Sequence, residues 1–216
     1  MGEVATVAQM KEPDRAATRE REISSMELME RPTLPRRPVD GHKGDFGKLF
    51  ILAGSEGYTG APVLAARGAL RTGAGLVFVG VPRDIYPIIA VKCDEAMPFP
   101  LPEEYEKILE KAKGCDVAVV GPGLGRAPET QRLVRSLLTD LDLPVVLDAD
   151  GINALCGHID ILDKRSAPTV LTPHEGEFAR LTGCALPLRD RLSAARSFAL
   201  ETPTEEPVPA GLTNTG

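Results

Sequence analysis

The stretch "LTPHEGEF" sets His174 between Pro173 and two glutamates, directly after the apolar run "PTVL". Thr172 fits an N-cap, Pro173 the first helical position, and Glu175 completes a T-x-x-E capping box. Phe178 and Leu181 would supply the buried face, with Glu177 in solvent. Capping accounts for most of the segment but not for His174. In a first helical turn the helix dipole disfavours an imidazolium and leaves a neutral ring able to donate or accept. A metal is not expected, because H-E-x-E is not a zinc motif and His42 and His158 show no ligand spacing to His174. The alternative is an ordinary surface histidine.

Three further segments have the composition of binding loops. "AGSEGYTGAP" (53–62) carries Gly54, Gly57 and Gly60 at intervals of three. It matches neither G-x-G-x-x-G nor G-x-x-x-x-G-K-[ST], which excludes the common dinucleotide and P-loop readings. It reads either as a plain turn or as the approach to a helix starting near Ala61–Pro62, whose free N–H groups could hold an anion. "GPGLG" (121–125) has three glycines in five residues, more than a tight turn needs, and suits close approach of a ligand to backbone. In "LDADGINAL" (147–155), Asp150 fits a helix cap and Asn153 stands at capping-box distance. Asp148, at the strand end, is left free to face a substrate hydroxyl or Mg2+, which often takes only one or two carboxylates.

The elements that must position these loops follow from the apolar pattern. "KLFILAG" (48–54), "GLVFVGV" (75–81), "DVAVVG" (116–121), "PVVLDA" (144–149) and "PTVL" (168–171) are continuous apolar runs, as in parallel strands buried on both faces. Between them lie the helical stretches "APVLAARGALRTG", "PEEYEKILEKAKG", "APETQRLVRSLLTDL", "GINALCG" and "PHEGEFARLTG". Several have Pro near the first turn and Gly at the end. Alternation of this kind specifies a doubly wound α/β sheet, in which ligands bind beyond the carboxyl ends of the strands. The chemistry-bearing segments above all follow a strand.

Composition narrows the function classes. The chain has 216 residues, 43% hydrophobic and 26% charged, with a net charge of −6 and a pI near 5.2. The acidic balance argues against nucleic acid or an anionic membrane as partner. Cys93, Cys115, Cys156 and Cys184 form no CxxC pair and read as thiols in a reducing cytoplasm. No apolar run is long enough for a membrane span, and the N-terminus lacks the h-region of a signal peptide. Three parts are expected: a charged lead-in and Pro-rich linker over 1–40, a folded domain over 41–200, and a disordered tail over 201–216. Met26 is an alternative start to Met1.

Taken together, "HKGDFGKLFILAGSEGYTGAPVLAARGALRTGAGLVFVGVP", "GPGLG", "VVLDADGINAL" and "TVLTPHEGEFARL" closely resemble the ADP/ATP-dependent NAD(P)H-hydrate dehydratases. The resemblance covers about residues 34–199. It implies a ribokinase-like three-layer αβα sandwich with a mostly parallel sheet. It also implies a metabolite-repair lyase, which returns NADH-hydrate or NADPH-hydrate to the working cofactor at the expense of ADP or ATP with Mg2+. By position it makes Ala61, Gly123 and His174 substrate contacts, with Tyr58, Gly60, Asp148 and Asn153 as secondary candidates. A homotetramer is a further implication.

The sequence also departs from that family. Members continue into a strand ending in a Lys-Gly turn and a "GSGD"-type motif, whose aspartate is the base in phosphoryl transfer; here "LETPTEEPVPAGLTNTG" stands instead. The expectation is a C-terminally truncated member with its last strands and nucleotide motif missing, no assigned catalytic residue, and marginal stability. Residues 1–40 resemble a linker from a fusion to an epimerase domain. Two other readings stay open: a ribokinase-like kinase for a sugar or vitamin precursor, and a non-catalytic fragment.

Overall fold

The computed structural model describes residues 37–201, with side chains to Ala199. The expectations for the N-terminal lead-in up to residue 36, for Met26 and for the tail from 202 lie outside the described residues. The chain divides after Gly41, and all elements below belong to the unit that begins at His42.

Six strands form one parallel sheet: β1 (Lys48–Leu52), β2 (Leu76–Val81), β3 (Met97–Pro100), β4 (Val117–Val120), β5 (Val145–Leu147) and β6 (Thr169–Leu171). The helices are α1 (Gly60–Thr72), α2 (Tyr86–Lys92), α3 (Tyr105–Lys113), α4 (Pro128–Asp140), α5 (Asp150–Asn153), α6 (Asp160–Asp163), α7 (Glu175–Thr182) and α8 (Arg191–Glu201). The five expected strands all form, each within its apolar run. Strand β3, "MPFP", and helix α2 carry no strong pattern in the sequence: two prolines interrupt the strand, and it pairs along only one side, with β2. A proline is tolerated at such an edge, where its missing N–H costs no ladder bond.

The order β3-β2-β1-β4-β5-β6 makes the sheet doubly wound. Alternate residues of β1 divide between two cores. Ile51 and Ala53 pack with Val77, Val79 and Val81 under Val63 and Ala66 of α1 and Ile89 of α2. Phe50 and Leu52 pack with Ala118, Val120, Val145 and Leu147 under α3, α4, Ile152 of α5 and Leu181 of α7. Helices therefore cover the sheet in a layer on each face, the three-layer sandwich the resemblance implies.

Coverage is uneven along the sheet. Val79, Ile51, Val119, Val146 and Val170 lie side by side on the α1–α2 face. The first two are fully buried, Val119 and Val146 are half-buried, and Val170 is 55% exposed. Among the described residues, that end of the sheet is covered by helices on its other face only.

The winding direction reverses between β1 and β4. The loops leaving their carboxyl ends diverge, and a crevice at that switch point is the usual ligand position in such sheets. "AGSEGYTGAP" and "GPGLG" are those two loops.

Candidate functional site

The two glycine-rich loops are bonded to each other. Gly54 N–H donates to the Pro122 carbonyl at 2.9 Å, and the Ser55 hydroxyl donates to the Gly123 carbonyl at 2.7 Å. Gly123 has φ +65°, and a methyl group placed there would stand 3.0 Å from the Cβ atoms of both Ala61 and Tyr58. Only a residue without a side chain fits this conformation and this approach together. Gly60 and Ala61 open α1, where Thr59 makes no side-chain cap. Tyr58 is 62% exposed beside them. Thus Tyr58, Gly60, Ala61 and Gly123 come together at the switch point.

Beyond β4 and β5 the backbone is equally close. A Cβ on Gly121, which has φ +126°, would overlap the Asp148 carbonyl oxygen at 1.8 Å. Ala149 adopts φ 49° and ψ −113°, a conformation costly for a residue with a side chain. This sharp turn sends Asp148 and Asp150 to different partners.

Asp150 was expected to cap the short helix; it does not. Ala149 occupies the N-cap position with no side-chain bond, and Asp150 is the first helical residue. Its carboxylate instead accepts from Gly125 N–H at 2.9 Å and from Asn153 Nδ2 at 3.2 Å, with Arg126 Nε at 3.4 Å. The strained Ala149 turn moves the helix start back one residue and turns Asp150 toward the "GPGLG" loop. Asn153 likewise makes no capping-box bond to backbone: it is 8% exposed, and its Oδ1 accepts from Arg180 Nε of α7 at 2.9 Å. Asp148 accepts from the Thr172 hydroxyl at 2.7 Å.

That last bond explains a second correction. Thr172 is not the N-cap of the following helix, because its hydroxyl is directed back to the end of β5. His174 is the N-cap, and Glu177, not Glu175, completes the capping box. Nδ1 of His174 accepts from the N–H groups of Gly176 at 3.0 Å and Glu177 at 3.3 Å. Glu177, expected in solvent, is 7% exposed; its Oε2 accepts from His174 N–H at 3.0 Å, and its Oε1 lies 3.2 Å from His174 Nε2. An Nδ1 that accepts leaves Nε2 as the proton-bearing nitrogen of a neutral ring. Phe178 and Leu181 are buried, as expected from their spacing.

The imidazole is 67% exposed and borders an open cleft of about 540 Å3 lined also by Pro173, Glu175, Phe178, Leu188, Arg191 and Ala195. Ala61, Gly123 and Tyr58 are not part of that lining. The structure therefore gathers the sequence-derived residues into two groups rather than one. Among the described residues, no three His, Cys, Asp or Glu side chains gather to hold a metal ion. Asp148 is held by the Thr172 hydroxyl and belongs to no such group.

The sequence model of the NAD(P)H-hydrate dehydratase family matches residues 49–204. The chain belongs to that family. The bifunctional NAD(P)H-hydrate repair enzyme Nnr of Moorella thermoacetica is 44% identical over 182 residues, 79% of this chain and 34% of the relative. The ADP/ATP-dependent NAD(P)H-hydrate dehydratase of Bacillus subtilis, co-crystallised with ATP/Mg2+, superposes with a TM-score of 0.64 at 33% identity, over 80% of this chain and 60% of that one. A ribokinase-like superfamily protein of Enterococcus faecalis, at 24% identity and TM-score 0.68 over 79% of this chain and 60% of that one, shows the same fold. The chain thus spans about a third of the bifunctional relative and three-fifths of each solved structure.

Within this member of the NAD(P)H-hydrate dehydratase family, the linking residues carry no local signal in the sequence. Ser55 lies in a segment that reads as turn, Asp150 reads as a cap, and Arg180 carries no reading of its own. Their partners lie 68, 25 and 27 positions away. Only the ordering of the strands brings them into range. No described helix is long and apolar enough to cross a membrane.

Proposed function

We propose that this chain forms the substrate side of an NAD(P)H-hydrate dehydratase site, taking NADH-hydrate or NADPH-hydrate as ligand. The reading is carried by one observation: at the β1/β4 switch point, where such sheets usually bind ligands, Gly123 comes so close to Ala61 and Tyr58 that a side chain there would crowd both. The uncapped start of α1 supplies N–H groups and a positive dipole end suited to a ligand phosphate. His174, a neutral ring with its proton on Nε2, can hydrogen-bond the hydrated nicotinamide; its cleft is of a size usual for small ligands.

The reaction of the family is a lyase reaction that consumes ADP or ATP. Such phosphoryl transfer depends on positioning and charge stabilisation. The nucleotide and its Mg2+ would supply that phosphoryl-transfer chemistry when bound. What these residues do is bind and orient the hydrate. A cytoplasmic setting suits the four free thiols, and a homotetramer belongs to the same proposal.

The test is calorimetric titration of the purified chain with NADPH-hydrate and, separately, with NADPH. Saturable binding of the hydrate that Gly123→Val abolishes is expected. Absence of hydrate binding to the folded wild type would sink the reading.

A further inference from the structure

The two groups of residues described above are not independent. A run of hydrogen bonds leads from the "GPGLG" loop to α7: Gly125 N–H donates to Asp150, Asn153 Nδ2 to Asp150, and Arg180 Nε to Asn153 Oδ1. Arg180 in turn reaches the first turn of α7. An ideal Cβ on Gly176 would stand 3.0 Å from His174 Cε1 and 3.5 Å from Arg180 Nη1, so the guanidinium and the imidazole flank one glycine. We infer that Arg180 is a positioning residue for the hydrate site, which through Asn153 and Asp150 holds the His174 cap and the Gly123 loop in one fixed relation.

Three observations carry this. Asn153 is the hub and is 8% exposed, so the loss of its partner would leave a buried amide oxygen without a donor. Ala149, strained at φ 49°, holds the hub's helix at its start; such strain persists where the surroundings over-determine it. The surroundings here are the Asp148 N–H to Val120, Gly151 N–H to Asp148 and Asn153 N–H to Ala149 bonds, all between 2.9 and 3.1 Å. Finally, Arg180 itself is exposed and forms no salt bridge among the described residues, while its Nε donates to Asn153 Oδ1 at 2.9 Å. The functional meaning rests on the proposed hydrate site; the mechanical link does not.

The experiment compares the 15N-labelled full chain with Arg180→Ala and Arg180→Gln. Gln places an amide nitrogen where the Arg Nε stands and restores the donor to Asn153 without the charge. In the absence of ligand, Arg180→Ala should shift the Gly125 amide and the His174 ring nitrogens together, and Arg180→Gln should return both toward wild type. NADPH-hydrate affinity should fall about tenfold in the Ala variant and recover in the Gln variant. An Ala variant with unmoved Gly125 and His174 signals, or a Gln variant that behaves as the Ala variant does, overturns the inference. Wild type that does not bind the hydrate would defeat the functional reading, while the ligand-free shifts still decide the link.

Discussion

Gly123 and Ala61 face each other so closely that a methyl group on the glycine would stand 3.0 Å from that of the alanine. The contact joins the loop after β4 to the first turn of α1.

Replacement of Gly123 by Ala should therefore act in two ways. The left-handed conformation should cost about 1 kcal/mol of stability. The added methyl should weaken NADPH-hydrate binding roughly tenfold, by crowding Ala61 and Tyr58. Gly57 is the control: its φ is +82°, but a Cβ there meets nothing within 4 Å. Gly57→Ala should lower the melting temperature and leave affinity unchanged; equal affinity loss in both variants would refute the assignment.

His174 both caps α7 and faces the cleft, and two substitutions separate these roles. His174→Ala removes the acceptor for the Gly176 and Glu177 N–H groups and should cost about 1 kcal/mol. Asn is among the best N-cap residues, so His174→Asn should melt near wild type. Both should lose hydrate affinity if the ring contacts the ligand. Normal affinity in the Asn variant, measured by the same titration, would reduce His174 to a cap.

Arg165 should matter for stability alone. Its guanidinium donates to the carbonyls of Leu138, Leu141 and Leu143 and to the Thr169 hydroxyl, closing the end of α4 onto β6. Arg165→Ala leaves these carbonyls without donors and should cost about 2–3 kcal/mol in urea unfolding. A change below half a kcal/mol would show that water replaces it.

Tyr105 predicts an alkaline limit. Burial, with the hydrogen bond to and the charge of Asp140, pushes its phenol above the usual range, and the bond is 2.6 Å long. A folded-state value above the unfolded one means that its stabilisation is complete below about pH 10 and is lost as pH rises through the folded value. Unfolding free energy should fall above that pH, and Tyr105→Phe should flatten the fall. Cys93 and Cys115, also raised chiefly by burial, should leave a residual slope of the same sign. An identical pH profile in the Phe variant would exclude Tyr105 as the source.

Val170 is an exposed apolar position on an edge strand of the described sheet. Val170→Lys should change stability by no more than about 0.5 kcal/mol and reduce concentration-dependent association, read by sedimentation velocity. A large loss of stability would mean that the position is covered in solution.

The sequence by itself determined five of the six strands of the described sheet and the places of the loops that follow them. Continuous apolar runs such as "KLFIL" and "VAVV" read as strands buried on two faces, and these form; the clustered glycines after them read as turns or as ligand loops, a choice the residues alone left open. Local hydrogen bonding also made "TPHEGEF" a helix start. It did not settle which residue caps, because Thr172 and His174 are both able acceptors, and the choice fell to Asp148 on another strand. Nor did it show β3, whose proline-broken run is a strand only because β2 offers it an edge. Asp150 and Asn153 were legible as a cap and a cap partner, and Arg180 carried no reading of its own. The order of β4, β5 and β6 brought Gly125 to Asp150 and Arg180 to Asn153, 25 and 27 positions apart, within 2.9 Å, since such bonds need proximity in space and sequence encodes only proximity along the chain.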